Sequence, residues 1–258
     1  MLWRSLDCLA IAQPAHAWLA GQLVRAWGNS GFPAPDPAEP VSLAAEQHDL
    51  GWHAWERMPT LNPATGRPHM FRELPVGTHT GLWREGVATA MAFGRYPALL
   101  VSLHGTGLYA AFDAAHAPPG DAAVVRAFLA SQTALQDRLV AQLAADPAWR
   151  DAVAPERLAA SRALIALTDR LSLAICGGVT APVTVQAAGL PAIALMPLES
   201  APGDPCRLRM DPWPFRLRSV RVVCEGRPLP GRFQDEGTMR QALCDASAVT
   251  VVTDLVPA

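Results

Sequence analysis

The sequence contains no lysine, and all of its 21 basic residues are arginine. This absence excludes two kinds of site, because a Schiff-base enzyme and a P-loop nucleotide site both depend on a lysine amine. Neither sign of charge dominates, since the net charge of the 258 residues is -2. The overall charge therefore gives no reason to expect binding to nucleic acid or to an anionic membrane.

Cysteine is scarce and unfavourably spaced for metal binding. The five cysteines lie far apart and form no CxxC pair, so they do not meet the spacing of a zinc site. We expect reduced, buried thiols in a cytoplasmic protein. These residues are Cys8, Cys176, Cys206, Cys224 and Cys244.

The sequence also lacks an uninterrupted membrane span. Residues 171–198 carry no charge and are long enough to cross a bilayer. However, the segments CGGVTAP and GLPA divide this stretch in the manner of a helix end followed by two strands. At the N-terminus, Asp7 interrupts an apolar segment whose uncharged part is too short for a signal peptide. We therefore expect no targeting or membrane segment.

What the sequence does contain is enough hydrophobic surface for a large core, since half of its residues are hydrophobic. Apolar residues recur at helical spacing through residues 1–182, whereas short runs such as TVQAA and VTVVTDL are typical of strands after that point. The pattern predicts a mainly α fold. We expect a helical domain at 1–182 that carries the chemistry and a small β-rich subdomain at 183–258.

Histidine and aspartate supply the most informative pattern. In AAEQHDLGWHAWERMP, residues 44–59, His48 and Asp49 stand side by side where a predicted helix breaks. His16 and His79 begin predicted helices, and His104 lies inside another. Any one of these histidines has an ordinary explanation as a hydrogen-bonded core or surface residue, so the pattern depends on the whole set.

Asp169 strengthens the pattern because its predicted helix, ALIALTDRLSLAIC, is strongly apolar. An isolated ionised carboxylate inside such a helix is costly and needs a partner. Arg170 points about 100° away around the helix and is an imperfect one. Two explanations stay open at this point: an ion pair with another arginine, or a divalent metal ion.

Together these residues predict a metal site. Neutral imidazoles with carboxylates suit Fe, Mn, Ni, Co and Zn, which the sequence does not distinguish, and a bridging aspartate can hold two ions. We expect two divalent transition-metal ions in the helical domain. The predicted ligands are His16, His48, Asp49, His79, His104 and Asp169.

The order His, His-Asp, His, His, Asp resembles the HD superfamily of metal-dependent helical proteins. That superfamily includes phosphohydrolases, cyclic-dinucleotide phosphodiesterases and diiron oxygenases. The resemblance implies an HD-like helical bundle with His16, the dyad His48-Asp49 and Asp169 as ligands. His79 and His104 would match the two additional histidines of the dinuclear members.

A closer resemblance covers nearly the whole chain. The phrases HDLGWHAWERMPTLNPATGRP, LLVSLHGTGLY, DRLSLAIC and MDPWPF are similar to an uncharacterised bacterial family whose domain has no assigned function. One departure from the HD pattern bears on the substrate: Trp52 stands where several HD proteins have a lysine. An indole offers stacking and a single N–H donor instead of a cation.

Several residues around the predicted metal site are candidates for contact with a substrate. Trp52 and Trp55 could line a pocket over the metals, or could anchor the long loop to the core. The loop and the helix that follows it also hold acid–base candidates and arginines that suit phosphate or carboxylate. The catalytic candidates are His53, His69 and Arg72, and the substrate-binding candidates are Trp52, Trp55, Arg67 and Arg84.

These observations favour a cytoplasmic, dinuclear metal-dependent hydrolase of the HD type, acting on a small phosphate ester or nucleotide. A diiron oxygenase with the same ligands and a non-catalytic, metal-stabilised binding protein are the alternatives. Arginines between residues 207 and 232 are interpreted as a solvated strand face, so a nucleic-acid partner is not expected. A membrane partner is not expected either, and a homo-oligomer is left open.

Overall fold

A curled, seven-stranded mixed sheet forms one side of the molecule, and helices pack against it and against one another. A computed structural model describes residues 1–201 and 204–258. The strand order in this sheet is β1-β2-β8-β9-β7-β6-β5, and β3 pairs with β4 in a separate two-stranded sheet. Strands β7 and β9 run parallel, and the other neighbouring pairs are antiparallel. The strands are β1 Leu2–Arg4, β2 Leu9–Ile11, β3 Leu61–Asn62, β4 Arg67–Pro68, β5 Val183–Val185, β6 Ile193–Leu198, β7 Cys206–Asp211, β8 Val220–Pro228 and β9 Val249–Pro257.

The long strand β8 shows how the sequence places this sheet against the core. Val220, Val222, Cys224 and Gly226 are buried, whereas Arg221 and Glu225 between them are exposed. This alternation is the two-residue period of a strand that is covered on one face. Helices therefore have to cover the apolar face of the sheet.

The helices form the second layer, and α5 lies at its centre. Every residue of α5 from Tyr96 to Ser102 is buried, as expected for a helix that is apolar on most faces. It is surrounded by α2, α4, α6 and α7, while α1 packs against α2, α7 and strand β8. The helices are α1 Gln13–Ala26, α2 Ala38–Gln47, α3 Trp52–Glu56, α4 Val76–Ala90, α5 Arg95–Leu108, α6 Pro119–Ala144, α7 Pro155–Gly177 and α8 Glu236–Asp245, with short 3-10 turns at Phe71–Glu73 and Arg150–Val153.

Helix α1 is fixed to the sheet by a polar contact as well as by packing. The side-chain amide of Gln22 donates to the carbonyl of Val223 at 2.8 Å, and its oxygen accepts from the backbone N–H of the same residue at 3.0 Å. A second contact joins α7 to the same strand, because Cys176 and Cys224 place their sulfur atoms 3.4 Å apart. Both cysteines are free thiols.

The sequence-based prediction of a mainly α, HD-like helical bundle is wrong, and so is the all-α class to which such a bundle would belong. About 48% of the chain is helical, and the rest includes a large sheet. The error began at the N-terminus, where β1 and β2 are strands that join the sheet through β8. Each has three residues, which is too short to show a two-residue period. The division of the chain at residue 182 stays a prediction.

The membrane prediction concerned the long uncharged stretch after residue 170. In the part of the chain that the structure describes, there is no helix with the length and apolar character that a bilayer crossing requires. The stretch instead continues α7 to Gly177 and then forms β5 and β6, as its breaking segments predicted.

A close approach of two backbones fixes the turn after α2, where His48 and Asp49 lie. A methyl group added at Gly51 would lie 2.0 Å from the carbonyl oxygen of Leu82 and 2.6 Å from the backbone nitrogen of Gly86, both in α4. Neither of these atoms can move as a flexible side chain could. Only glycine allows this turn to contact α4 so closely.

We predict that Gly51→Ala lowers the free energy of unfolding by about 2–3 kcal/mol, because the added methyl group overpacks two backbone segments. Gly81→Ala is the matched control: it lies in α4, and a methyl group there would meet no atom within 4 Å. We expect this control to be stabilised by up to about 1 kcal/mol, the helix preference of alanine over glycine. Chemical denaturation measures both, and equal stability of the two variants would contradict the prediction.

Candidate metal centre

Five ionisable side chains that are distant in the sequence meet in the core of the helical layer. His16 lies in α1, His48 and Asp49 directly follow α2, His104 lies near the end of α5, and Asp169 lies in the middle of α7. Each of them is at most 6% exposed. Helices α1, α2, α5 and α7 pack against one another, so a packed helix, or the turn directly after one, holds every member of this cluster.

The separations within the cluster suit the coordination of a metal ion. His48 Nε2 lies 3.3 Å from Asp169 Oδ1 and 3.6 Å from Asp49 Oδ2. His104 Nε2 lies 3.5 Å from Asp169 Oδ2. Ligand bonds of about 2.1 Å at angles of about 90–110° would place neighbouring ligand atoms about 3.0–3.4 Å apart. Two triplets have ligand atoms within 4.8 Å of one another and could hold an ion: His16, His48 and Asp49, and His48, His104 and Asp169.

The hydrogen bond on the far side of His48 determines which of its nitrogens faces the cluster. Nδ1 lies 2.7 Å from the carbonyl oxygen of Ala45, which can only accept, so Nδ1 carries the proton and donates it. Nε2 is buried, faces the two carboxylates and has no hydrogen-bond partner in the described part of the chain. Imidazoles that bind a metal through one nitrogen commonly donate the other ring N–H to a backbone carbonyl in this way.

His16 is held by the same kind of arrangement, although its partner is a side chain. The hydroxyl of Ser172 donates to the carbonyl of Asp169 at 2.7 Å and therefore accepts from His16 Nδ1 at 3.0 Å. His16 Nε2 then faces Asp49 Oδ2 at 2.8 Å. A lone pair on Nε2 would repel the carboxylate oxygen at that distance, so a proton or a metal ion has to lie between the nitrogen and the oxygen.

Electrostatics at the cluster favour a cation. Burial alone would lower the pKa of His48, but the carboxylates of Asp49 and Asp169 outweigh it and raise that pKa to about 9. Burial would raise the pKa of both carboxyls, but the imidazoles outweigh it and hold the pKa of each below its usual value. Burial lowers the pKa of His104 to about 4, against the attraction of Asp169. Without a metal the carboxylates hold a proton on His48, and a bound metal ion would replace that proton.

The arginine explanation of Asp169 does not describe what surrounds it. Within residues 1–201 and 204–258, no arginine forms an ion pair with Asp169 or Asp49. Arg170 turns away and donates to the carbonyl of Gln186. The carboxylates face imidazoles instead. Of the two explanations for Asp169, this arrangement fits the metal ion and not the arginine ion pair.

The cluster opens into a cavity of about 440 Å³, here named the aromatic cavity. This volume lies in the range of small-molecule sites. Gln13 and several aromatic residues join the cluster in its wall, and Arg72 and Arg170 are its exposed cations. The lining residues are Gln13, His48, Asp49, Trp52, Phe71, Arg72, Leu74, Val76, His79, Trp83, His104, Leu108, Tyr109, Phe112, Asp169, Arg170 and Leu173.

His79 lines this cavity but belongs to neither triplet. Its Nδ1 lies 2.5 Å from the hydroxyl oxygen of Tyr109, and its ring meets the ring of Trp52 edge to face at a centroid distance of 5.3 Å. Burial lowers the pKa of His79, with Asp49 opposing that effect. His79 therefore presents a neutral imidazole at the cavity, and its role as a metal ligand stays a prediction.

The other predicted site residues divide into two groups. Trp52 and Arg72 line the aromatic cavity. The other five are not among the described residues that line it. His53 is exposed, Trp55 is half-buried, and His69 bonds to Thr60. Arg67 lies over the ring of Trp3, and Arg84 lies over the ring of Phe128. Their roles stay predictions.

Sequence reasoning missed several residues that contact the cluster or line the cavity, among them Gln13, Trp83, Tyr109 and Ser172. Spacing could have indicated three of these. Gln13 precedes His16 by three residues and Ser172 follows Asp169 by three, which places each on the same helix face as its neighbour. Trp83 follows His79 by four residues, but nothing in the sequence connects Tyr109 to His79.

Comparison with known proteins gives one match. A family described as "Protein of unknown function (DUF3891)" matches residues 1–231, which confirms the resemblance to an uncharacterised family. No curated protein and no solved structure matches the chain.

We predict that His48→Ala removes at least one bound ion, because His48 belongs to both triplets and can complete either of them. The loss of Mn²⁺ affinity should exceed the roughly 10–100-fold that removal of a second-layer partner costs. His116→Ala is the control, since His116 is exposed and bonds to Asp113. Elemental analysis of protein purified without chelator measures the outcome, and metal content unchanged by His48→Ala would count against the site.

Ser172→Ala tests the orientation of His16. Loss of the hydroxyl frees His16 Nδ1, so we expect metal affinity to fall by about 10–100-fold while the fold is retained. Ser131→Ala is the matched control, because Ser131 donates to a carbonyl three residues earlier in α6, as Ser172 does in α7. Titration with Mn²⁺ compares the two variants, and equal affinities would contradict the role of Ser172.

Proposed function

The chain belongs to the DUF3891 family, whose function is unknown, and we propose that it is a metal-dependent hydrolase of phosphate esters. The observation that carries the proposal is the pair of buried carboxylates, Asp49 and Asp169, faced by imidazole Nε2 atoms at the floor of an open cavity. A structural metal site is normally closed, whereas a catalytic one keeps a position open to substrate.

The proposed centre holds two divalent ions. A single imidazole nitrogen binds one ion, so His48 completes only one of the two triplets that share it. The first ion would rest on His16, His48 and Asp49. The second would rest on His104 and Asp169, with His79 as the further imidazole in the same cavity.

Hydrolysis suits this donor set. Divalent ions supply a Lewis acid for a phosphoryl oxygen and make water nucleophilic near neutral pH. The water oxygen forms the new bond to phosphorus, the ester P–O bond breaks, and one water proton ends on the leaving oxygen while the other is released or stays on the phosphate. The buried helices hold the side chains in place, which keeps the reacting atoms oriented.

The chain provides cations for an anionic substrate at the edge of the cavity rather than beside the carboxylates. Arg72 and Arg170 line the cavity and are exposed. Guanidinium groups bind phosphate through paired N–H donors. Phe71 and Phe112, which line the cavity and are half-buried, provide ring surfaces against which an aromatic leaving group or a base can pack.

Oxidation by two iron ions is the second candidate function. The observation that favours it is the aromatic and aliphatic character of the wall, with Trp52, Trp83, Tyr109, Phe71 and Phe112 beside the cluster. Such a wall suits an apolar substrate. Bound iron together with O₂ consumption would support this function over hydrolysis.

The test begins with protein purified without chelator. We expect two bound ions, and 4-nitrophenyl phosphate hydrolysis that is lost on chelation and restored by Mn²⁺, Ni²⁺ or Co²⁺. Asp169→Asn keeps the shape but removes the charge, and should lower kcat by at least about 100-fold, since the metal contributes several kcal/mol. His104→Ala should reduce the count of ions from two to one.

Asp113→Asn is the matched control, because Asp113 is exposed and bonds to His116. Activity equal in this control and in Asp169→Asn would contradict the proposed site. Stoichiometric metal without turnover of phosphate esters and without O₂ consumption would instead identify a metal-stabilised binding protein.

A further inference from the structure

The metal cluster stands between two adjoining cavities rather than at the end of one. A second cavity of about 650 Å³ lies along α5 and α7 and is lined by Ala159, Ala160, Ala163 and Ala166, so it is here named the alanine cavity. His104 and Asp169 line both cavities. A group bound at these two side chains is therefore open to both spaces.

Three residues that line the aromatic cavity carry buried hydrogen-bond donors without a partner. Trp52, Trp83 and Gln13 are at most 2% exposed, and Trp52 Nε1, Trp83 Nε1 and Gln13 Nε2 have no partner within the described residues. A buried donor without a partner costs about 1–3 kcal/mol. Three of them on residues of one cavity wall indicate a ligand with oxygen acceptors.

The alanine cavity has a different wall. Small side chains make it wide, and the exposed Arg162 and Arg170 add cations along its length. Gly107 of α5 leaves room beside Arg162, since a methyl group there would lie 3.6 Å from its Nη2 atom. This space suits a second substituent of the substrate, and a substrate with one substituent would leave it empty.

We propose that the substrate has two arms joined by the phosphate, with an aromatic, oxygen-bearing arm in the aromatic cavity and the other arm in the alanine cavity. The proposal rests on the proposed function and narrows it from phosphate esters in general to phosphodiesters. The diester and one water give a monoester and an alcohol: the P–O bond to one arm breaks, water oxygen takes its place on phosphorus, and a water proton passes to the leaving oxygen.

The test compares probes with one and two arms. Calorimetry on the metal-loaded protein measures binding of phenyl phosphate and diphenyl phosphate, and hydrolysis is followed with 4-nitrophenyl phosphate and bis(4-nitrophenyl) phosphate. We expect diphenyl phosphate to bind about tenfold more tightly, a difference of ~1.4 kcal/mol, because its second ring occupies the alanine cavity. The diester should also be the better substrate.

Ala163→Phe narrows the alanine cavity, since Ala163 lines it beside Gly189. We expect this variant to lose the preference for the diester while its affinity for phenyl phosphate changes by less than about twofold. Ala160→Phe, at an exposed position on the same wall, should have the same effect if Ala163→Phe does not fold. Ala134→Phe on the exposed face of α6 is the matched control and should behave as wild type.

Equal binding of the two phosphates by the wild-type protein, or equal losses for both in Ala163→Phe, would overturn the two-arm proposal. Hydrolysis of the monoester in that case would leave the proposed function standing. Conversely, a binding preference for diphenyl phosphate that Ala163→Phe removes, without hydrolysis of either ester, would support the two-arm site and reject the hydrolase. Failure to bind either phosphate would overturn the two-arm proposal as well.

Discussion

The helical layer of this protein is organised around two buried carboxylates that form no ion pair with an arginine in the described residues. Asp49 and Asp169 face three imidazoles, two of which have Nδ1 occupied on the far side by a carbonyl or a hydroxyl. Negative charge in a core has to be balanced by a positive charge nearby. The packing of α1, α2, α5 and α7 is therefore constrained by the cluster, because each of these helices, or the turn after it, contributes a member.

The sheet contributes to the site although it supplies none of the five clustered residues. Strand β8 supports α1 through the paired hydrogen bonds of Gln22 and meets α7 through Cys176 and Cys224. Those two helices carry His16 and Asp169, so the sheet sets the distance between them. A ligand shell tolerates displacements of only a few tenths of an ångström, which explains why a rigid sheet suits the far side of these helices.

The sequence allowed the clustered residues to be predicted but not the architecture around them. His48-Asp49 at a helix end and Asp169 in an apolar helix are local features, and each carries a physical cost that points to a partner. The three-residue strands β1 and β2 join the sheet only through the pairing of β2 with β8, more than 200 residues away. The same limit applied to Tyr109 and to the unpaired donors of Trp52 and Trp83, because a cavity is defined by distant side chains that meet. Propensity and spacing describe neighbours in the chain, and tertiary packing decides the rest.

Helix α7 places Asp169 and Arg170 at adjacent positions with different surroundings: the carboxylate lies in the cluster, and the guanidinium lies at the edge of the cavities and bonds to Gln186. Successive residues of a helix differ by 100° in direction. Deletion of a single residue early in α7 would thus move Arg170 to the position that faces the histidines and Asp169 to the buried position that Thr168 now holds. Variation in length among relatives should therefore collect outside this helix, in the connections before Pro155 and after Gly177.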